Sequence, residues 1–162
     1  MKRHLYLVRH AQSADKQLGQ SDHERELTPA GRSDAQSLGI FFSRQNFFFD
    51  QVHCSTALRA RQTLEEILCA PSLPQSVNSQ FSAEWYHGTA ENYLQLIKEF
   101  DQKLNRMLVI GHNPSISQLV DHLCQQPFTG LTPGSLVILC AEASDWKHFT
   151  ETKTSIQFFK EP

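Results

Sequence analysis

Short apolar runs alternate along this chain with segments of helical spacing, and that alternation constrains its fold more than any other feature. Leu5-Tyr6-Leu7-Val8 opens the chain as a buried strand, Phe47 to Cys54 carries a second β-favouring run, and Met107 to Ile110 a third. Between them lie the helices. Thr28-Pro29 supplies an N-cap and a first-turn proline for a helix predicted over Pro29–Arg44, with Ala35, Leu38 and Phe41/Phe42 on one face. Ser55-Thr56 is read as the cap of a second helix bearing Leu64, Ile67 and Leu68 and closed by Pro71 and Pro74. Glu91 to Phe100 has helical spacing. Asn113 as N-cap and Pro114 at the first position launch a helix with Ile116, Leu119, Val120 and Leu123. Leu136–Leu139, after a Pro133-Gly134 turn, and Thr154–Phe159 read as closing strands. The expected class is α/β: a three-layer sandwich with a mainly parallel central sheet flanked by helices.

At 162 residues the chain is expected to form one domain spanning 1–162. Its formal charge of −2 gives no bulk basic field for nucleic acid. The N-terminal apolar run is too short for a signal peptide, and no stretch approaches membrane-spanning length. The four cysteines form no CxxC and no zinc spacing with histidine, so no metal site is expected and a reducing cytoplasm fits. Neither GxGxxG nor GxxxxGK[ST] occurs, which removes the common nucleotide loops.

Mainly parallel sheets bind ligands beyond the carboxyl ends of their strands. Here the first strand is followed by Arg9-His10, the second by Ser55-Thr56-Ala57-Leu58-Arg59, and the third by Gly111-His112-Asn113-Pro114. A single histidine after a strand reads as structural, and a single arginine early in a helix as a solvated charge. Repetition at three strand ends reads differently. Two arginines, two histidines and two helix N-termini at one sheet edge suit a doubly charged anion, most simply phosphate.

These residues carry a resemblance. Leu5-Tyr6-Leu7-Val8-Arg9-His10, Leu27-Thr28-Pro29-Ala30-Gly31, Ser55 through Thr63 and Gly111-His112-Asn113-Pro114 together resemble the histidine phosphatase superfamily, with its phosphoglycerate-mutase-like fold. The short length resembles the SixA-type phosphohistidine phosphatase branch. The resemblance implies a nucleophilic His10, with Arg9, Arg59 and His112 holding the phosphoryl oxygens, no cofactor and a monomeric protein. It implies a phosphohistidine-bearing protein as partner, or else a small phosphorylated metabolite, and a phosphate or sulfate ion in the pocket. Ala11 stands where the family often has glycine.

Larger members carry an acid between the second and third strands. In that interval Glu84 and His87 are the candidate general acids, with Glu84 equally readable as an exposed loop carboxylate. Arg25 fits a short-branch pattern and is a candidate for the pocket rim, or equally a salt-bridged surface arginine. An imidazole leaves phosphorus more readily than an alkoxide, so an uncertain acid favours phosphohistidine. A cysteine phosphatase built on Cys54 is disfavoured, because Ala60 stands six positions on where arginine is required. A mutase is disfavoured by the lack of closing segments. A non-catalytic phosphate or phosphohistidine reader stays open at this point.

Overall fold

The protein is described from a computed structural model that covers residues 1–71, 73 and 77–162. Pro74, expected to help close the second helix, lies outside the described residues. Six strands form one sheet: β1 (Lys2–Arg9), β2 (Gln51–Ser55), β3 (Asn78–Ser82), β4 (Arg106–Gly111), β5 (Leu136–Glu142) and β6 (Ser155–Lys160), in the order β3-β2-β4-β1-β5-β6. β3, β2, β4 and β1 run parallel; β5 lies antiparallel to β1, and β6, antiparallel to β5, runs in the direction of the parallel set. The helices are α1 (Pro29–Arg44), α2 (Leu58–Leu68), α3 (Glu84–His87), α4 (Ala90–Lys98), α5 (Ser115–Cys124) and α6 (Trp146–Glu151).

The three layers follow from the period-2 alternation of the strands. Leu5, Leu7, Met107 and Val109 point into one core with Tyr93, Ile97 and Leu119 from α4 and α5 and Trp146 and Phe149 from α6. Tyr6, Val8, Leu108 and Ile110 point the opposite way, onto Leu38 and Phe42 of α1 and Leu64 and Ile67 of α2. Central strands buried on both faces must be apolar throughout, which is why their runs are continuous.

Several expectations shift. α1 keeps its expected limits, with the Thr28 side chain accepting from the Gly31 N–H at 3.0 Å. The second strand begins at Gln51, and Phe47 and Phe49 pack instead as an apolar connection over Tyr6. α5 starts at Ser115, one residue past the expected first position. The Asn113 side chain is drawn off to the Leu131 carbonyl (2.9 Å) and the Ser117 hydroxyl (2.8 Å). β3 and α6 are additional elements. β3 is an edge strand of polar residues with no apolar run to mark it.

α1 and α2 cross in close contact at Gly39, where a Cβ would lie 2.3 Å from the Ile67 carbonyl oxygen. Gly39→Ala is therefore expected to force the helices apart at a cost of about 1–3 kcal/mol. The thermal midpoint should fall by about 3–10 °C. An unchanged melting curve would contradict that packing.

Candidate active site

The ends of β1, β2 and β4 open onto a cleft of about 600 Å³, covered by a 3-10 turn at Asp22–Glu24 and by α3. Arg9, His10, Arg59 and His112, expected from distant segments, all line it, together with Arg25 and His87. Adjacent strands bring the histidines together. Arg9 is paired with Gly111 across β1 and β4, and the His10 backbone N–H donates to the Gly111 carbonyl at 3.1 Å. The two imidazole centroids lie 4.9 Å apart.

The His10 ring is oriented from both ends. Its Nδ1 lies 2.8 Å from the Ala11 carbonyl, which can only accept, so Nδ1 carries the proton. Nε2 is then a lone pair, and Arg59 Nε–H donates to it at 3.2 Å. Burial, and then the charges of Arg59, Arg9 and Arg25, push the His10 pKa down to about 4 despite the Ala11 bond. At neutral pH this ring is a neutral base facing a cationic cleft.

Arg59 enters from the first turn of α2, 6% exposed, and is held in place by Asp22: Nη1 donates to its carbonyl at 2.7 Å and Nη2 to its carboxylate at 2.9 Å. Thr63, one turn on, donates its hydroxyl to the Arg59 carbonyl (2.7 Å) and accepts the Ala11 N–H (3.0 Å). α2 is thus fastened to the loop that carries His10.

Ser55, expected as a helix cap, has another task. α2 begins without a side-chain cap, and the Ser55 hydroxyl instead accepts the Ala57 N–H at 3.2 Å and pairs with His112 Nε2 at 2.8 Å. His112 Nδ1 faces Arg59 Nη2 at 3.5 Å, and a guanidinium only donates, so His112 Nε2 is its protonated nitrogen. Burial, then His10 and Arg59, lower the His112 pKa to about 3.

Arg9 donates from Nη1 to the Leu131 carbonyl at 2.7 Å, while its buried Nε has no partner among the described residues. Arg25 binds the Ala14 carbonyl at 2.8 Å, the Ser13 hydroxyl at 3.0 Å and Asp22 at 2.9 Å. Glu84 is not brought into the cleft. Its backbone N–H bonds the Ser82 hydroxyl at 3.1 Å, and its side chain lines a neighbouring groove with Asn92 and Leu96. Among the described residues no group of three or more His, Cys, Asp or Glu side chains is placed to hold a metal ion.

Among the lining residues that the sequence did not mark as part of the site, Asp22 and Tyr86 make the most contacts with it. Asp22 accepts from Arg25, Arg59 and, at 2.8 Å, the Tyr86 hydroxyl. These bonds, Arg25 and Tyr86 foremost, hold its carboxyl far below the usual carboxylate range. Tyr86 packs its ring edge-on to His112 at 5.3 Å and beneath the Arg59 guanidinium at 5.8 Å. The Asp-x-x-Arg spacing of Asp22 and Arg25 was the one available signal. Three guanidiniums against one carboxylate, with the imidazoles counted as neutral, leave a formal charge of +2 in the cleft, the complement of a phosphoryl dianion.

The two depressed cleft histidines make stability pH-dependent. Each has a folded pKa below its unfolded value near 6.5, so the unfolded chain binds more protons between those values, and stability present above about pH 6.5 is lost as pH falls toward 4. The thermal midpoint should decline across that window. In an NMR titration the His10 ring should titrate near pH 4. A ring titrating near 6.5 would contradict its buried, cation-ringed placement.

A mainly parallel α/β sandwich that gathers histidines and arginines at its strand ends is the architecture of a phosphatase of the histidine phosphatase class. The chain belongs to the histidine phosphatase superfamily (branch 1), whose family profile matches residues 5–107. It is 30% identical over 122 residues to phosphohistidine phosphatase SixA of Escherichia coli, covering 74% of this chain and 73% of that protein. An uncharacterized Mycobacterium tuberculosis protein is 33% identical over 113 residues, covering 69% of this chain and 66% of the relative's own length. The structure described as a SixA phosphohistidine phosphatase from Nakamurella multipartitia superposes with a TM-score of 0.84 at 26% identity, covering 100% of this chain and 97% of that one. No helix among the described residues is long and apolar enough to cross a membrane.

Proposed function

We propose that the protein, as a single domain spanning 1–162, hydrolyses phosphoryl groups through a phosphohistidine on His10, and that its substrate is a phosphohistidine-bearing protein. The observation that carries this reading is the His10 ring. Nδ1 is tied to the Ala11 carbonyl, so the Nε2 lone pair faces the cationic cleft. A protein that only read phosphate would gain nothing from a buried, neutral, tautomerically fixed imidazole beside its anion site.

In the first step the Nε2 lone pair attacks phosphorus. The bond to the leaving atom breaks, and its electron pair departs with the leaving group. Arg9, Arg59 and Arg25 neutralise the equatorial oxygens, and phosphoryl transfer depends chiefly on such positioning and charge. His112, with Nε2–H on Ser55, turns Nδ1 toward the same place, and a proton taken from solvent as the phosphoryl dianion enters would let it donate to a phosphoryl oxygen. Water then attacks phosphorus, the P–Nε2 bond breaks, and His10 recovers its lone pair. The residues serve this chemistry without calling on a cofactor.

The substrate follows from the leaving group. Glu84 is outside the cleft and Asp22 is held ionised, so neither offers a proton to an alkoxide at neutral pH. An imidazole needs less help, and the family relationship to SixA of Escherichia coli points the same way. His87 lines the cleft and is the remaining candidate acid, which supports a second reading as a phosphomonoesterase of small phosphorylated metabolites. We take the protein to act as a monomer in the cytoplasm, where its four free cysteines are suited to a reducing environment.

The test is turnover of a phosphohistidine peptide, p-nitrophenyl phosphate and an alkyl phosphate side by side, in chelator. Phosphohistidine should be the fastest and the alkyl ester the slowest. Faster alkyl-ester cleavage would overturn the protein-histidine substrate in favour of the metabolite.

A further inference from the structure

Resting on the phosphohistidine reading above, we infer that Asp22 is the specificity residue of the site: its carboxylate receives the distal ring N–H of the departing histidine and holds that ring cationic while the P–N bond breaks.

A carboxylate inside a phosphate pocket is at first sight misplaced, since it repels the substrate's oxygens. Its geometry resolves the conflict. Oδ2 is occupied by Arg59 Nη2 at 2.9 Å and the Tyr86 hydroxyl at 2.8 Å, whereas among the described residues Oδ1 accepts from Arg25 alone, at 2.9 Å. Each carboxylate oxygen takes about two donors, so Oδ1 retains capacity. The side chain is 44% exposed, unlike the buried His10 and Arg59, and so faces the cleft mouth from which a substrate enters. A single guanidinium, that of Arg59, separates it from His10 Nε2. Attacking nitrogen, phosphorus and leaving nitrogen must lie in line, which carries the ring of the departing histidine outward toward this rim.

The chemistry suits that position. Phosphoimidazole becomes labile when its distal nitrogen is protonated, because the ring then departs as neutral imidazole, taking the P–N electron pair and keeping its distal proton. No proton passes to or from Asp22. An ionised carboxylate held by Arg25, Arg59 and Tyr86, with His23 and His87 packed on the Tyr86 ring, stabilises that cation and does nothing for the oxygen of a departing alcohol.

The experiment compares Asp22→Asn with wild type on phosphohistidine peptide and on p-nitrophenyl phosphate, whose leaving group needs no proton. The ratio of the two kcat/KM values should fall on the order of 10²-fold, with Asp22→Ser as a second neutral variant. Asp22→Glu should keep most of the ratio. The alkaline limb of the phosphohistidine profile should also move down by about one pH unit in Asp22→Asn, as the cationic ring loses its partner. Equal losses on both substrates, with an unmoved limb, would overturn the inference and leave Asp22 as an anchor for two arginines. Wild-type protein that fails to cleave phosphohistidine would overturn the substrate reading itself.

Discussion

His10→Ala is expected to lower kcat by at least about 10³-fold on every phosphorylated substrate, because no other group in the cleft can take its place as nucleophile. Arg59 and Arg9 have no lone pair to offer. His112, its pKa held lower than that of His10, is the weaker base of the two, and in the proposed reaction its Nδ1 carries a proton to a phosphoryl oxygen rather than a lone pair to phosphorus. Cys54, one residue before the end of β2, does not line the cleft; it is buried, its thiol is pushed up by desolvation, and it donates to the Ser55 carbonyl. Wild-type protein incubated with labelled phosphohistidine peptide and quenched in alkaline denaturant should carry base-stable, acid-labile label, and the variant should carry none. The variant should still bind sulfate, since Arg9, Arg25 and Arg59 remain. Retained turnover in His10→Ala would end the covalent mechanism.

Arg59→Lys is the second large effect. The guanidinium reaches His10 Nε2, the Asp22 carbonyl and the Asp22 carboxylate at once, through three different nitrogens. An ammonium is a point charge on a flexible stem and cannot span that set. Loss of one donor aimed at developing oxyanion charge is worth about 10²–10³-fold in kcat. A further penalty is expected as Asp22 is left to Arg25 and Tyr86. kcat/KM on p-nitrophenyl phosphate should therefore fall by about 10³-fold or more, with a modest change in melting temperature because the carboxylate keeps two donors. A loss under tenfold would show that charge alone, without the planar fork, suffices at this position.

Arg9, His10, Arg59 and His112 were legible because each directly follows an apolar run or an apolar run and short turn, and the strand-end rule then makes their meeting a matter of topology. Asp22 was not. Charge logic assigns cations to a phosphate pocket, and an acid there becomes intelligible only when Arg25, Arg59 and Tyr86 are seen converging on it. The acid candidates Glu84 and His87, three residues apart on the single turn of α3, both line the neighbouring groove, and only His87, at the end of the turn, also reaches the cleft beside Tyr86, a placement that no periodicity in so short a segment reveals. Ser55 was recognised as a hydroxyl at a helix start, but propensity could not foresee that His112 from another strand would claim it. β3 escaped because an edge strand need not be apolar.

The strands that deliver His10 and His112 are neighbours near the middle of the sheet, with β2 and β5 on their outer sides. Central strands of this kind open only when the whole domain opens. The chemistry is therefore mounted on the last part of the molecule to come apart. Heat or denaturant should extinguish catalysis at the same midpoint as the global loss of secondary structure, with no earlier inactivated but folded species.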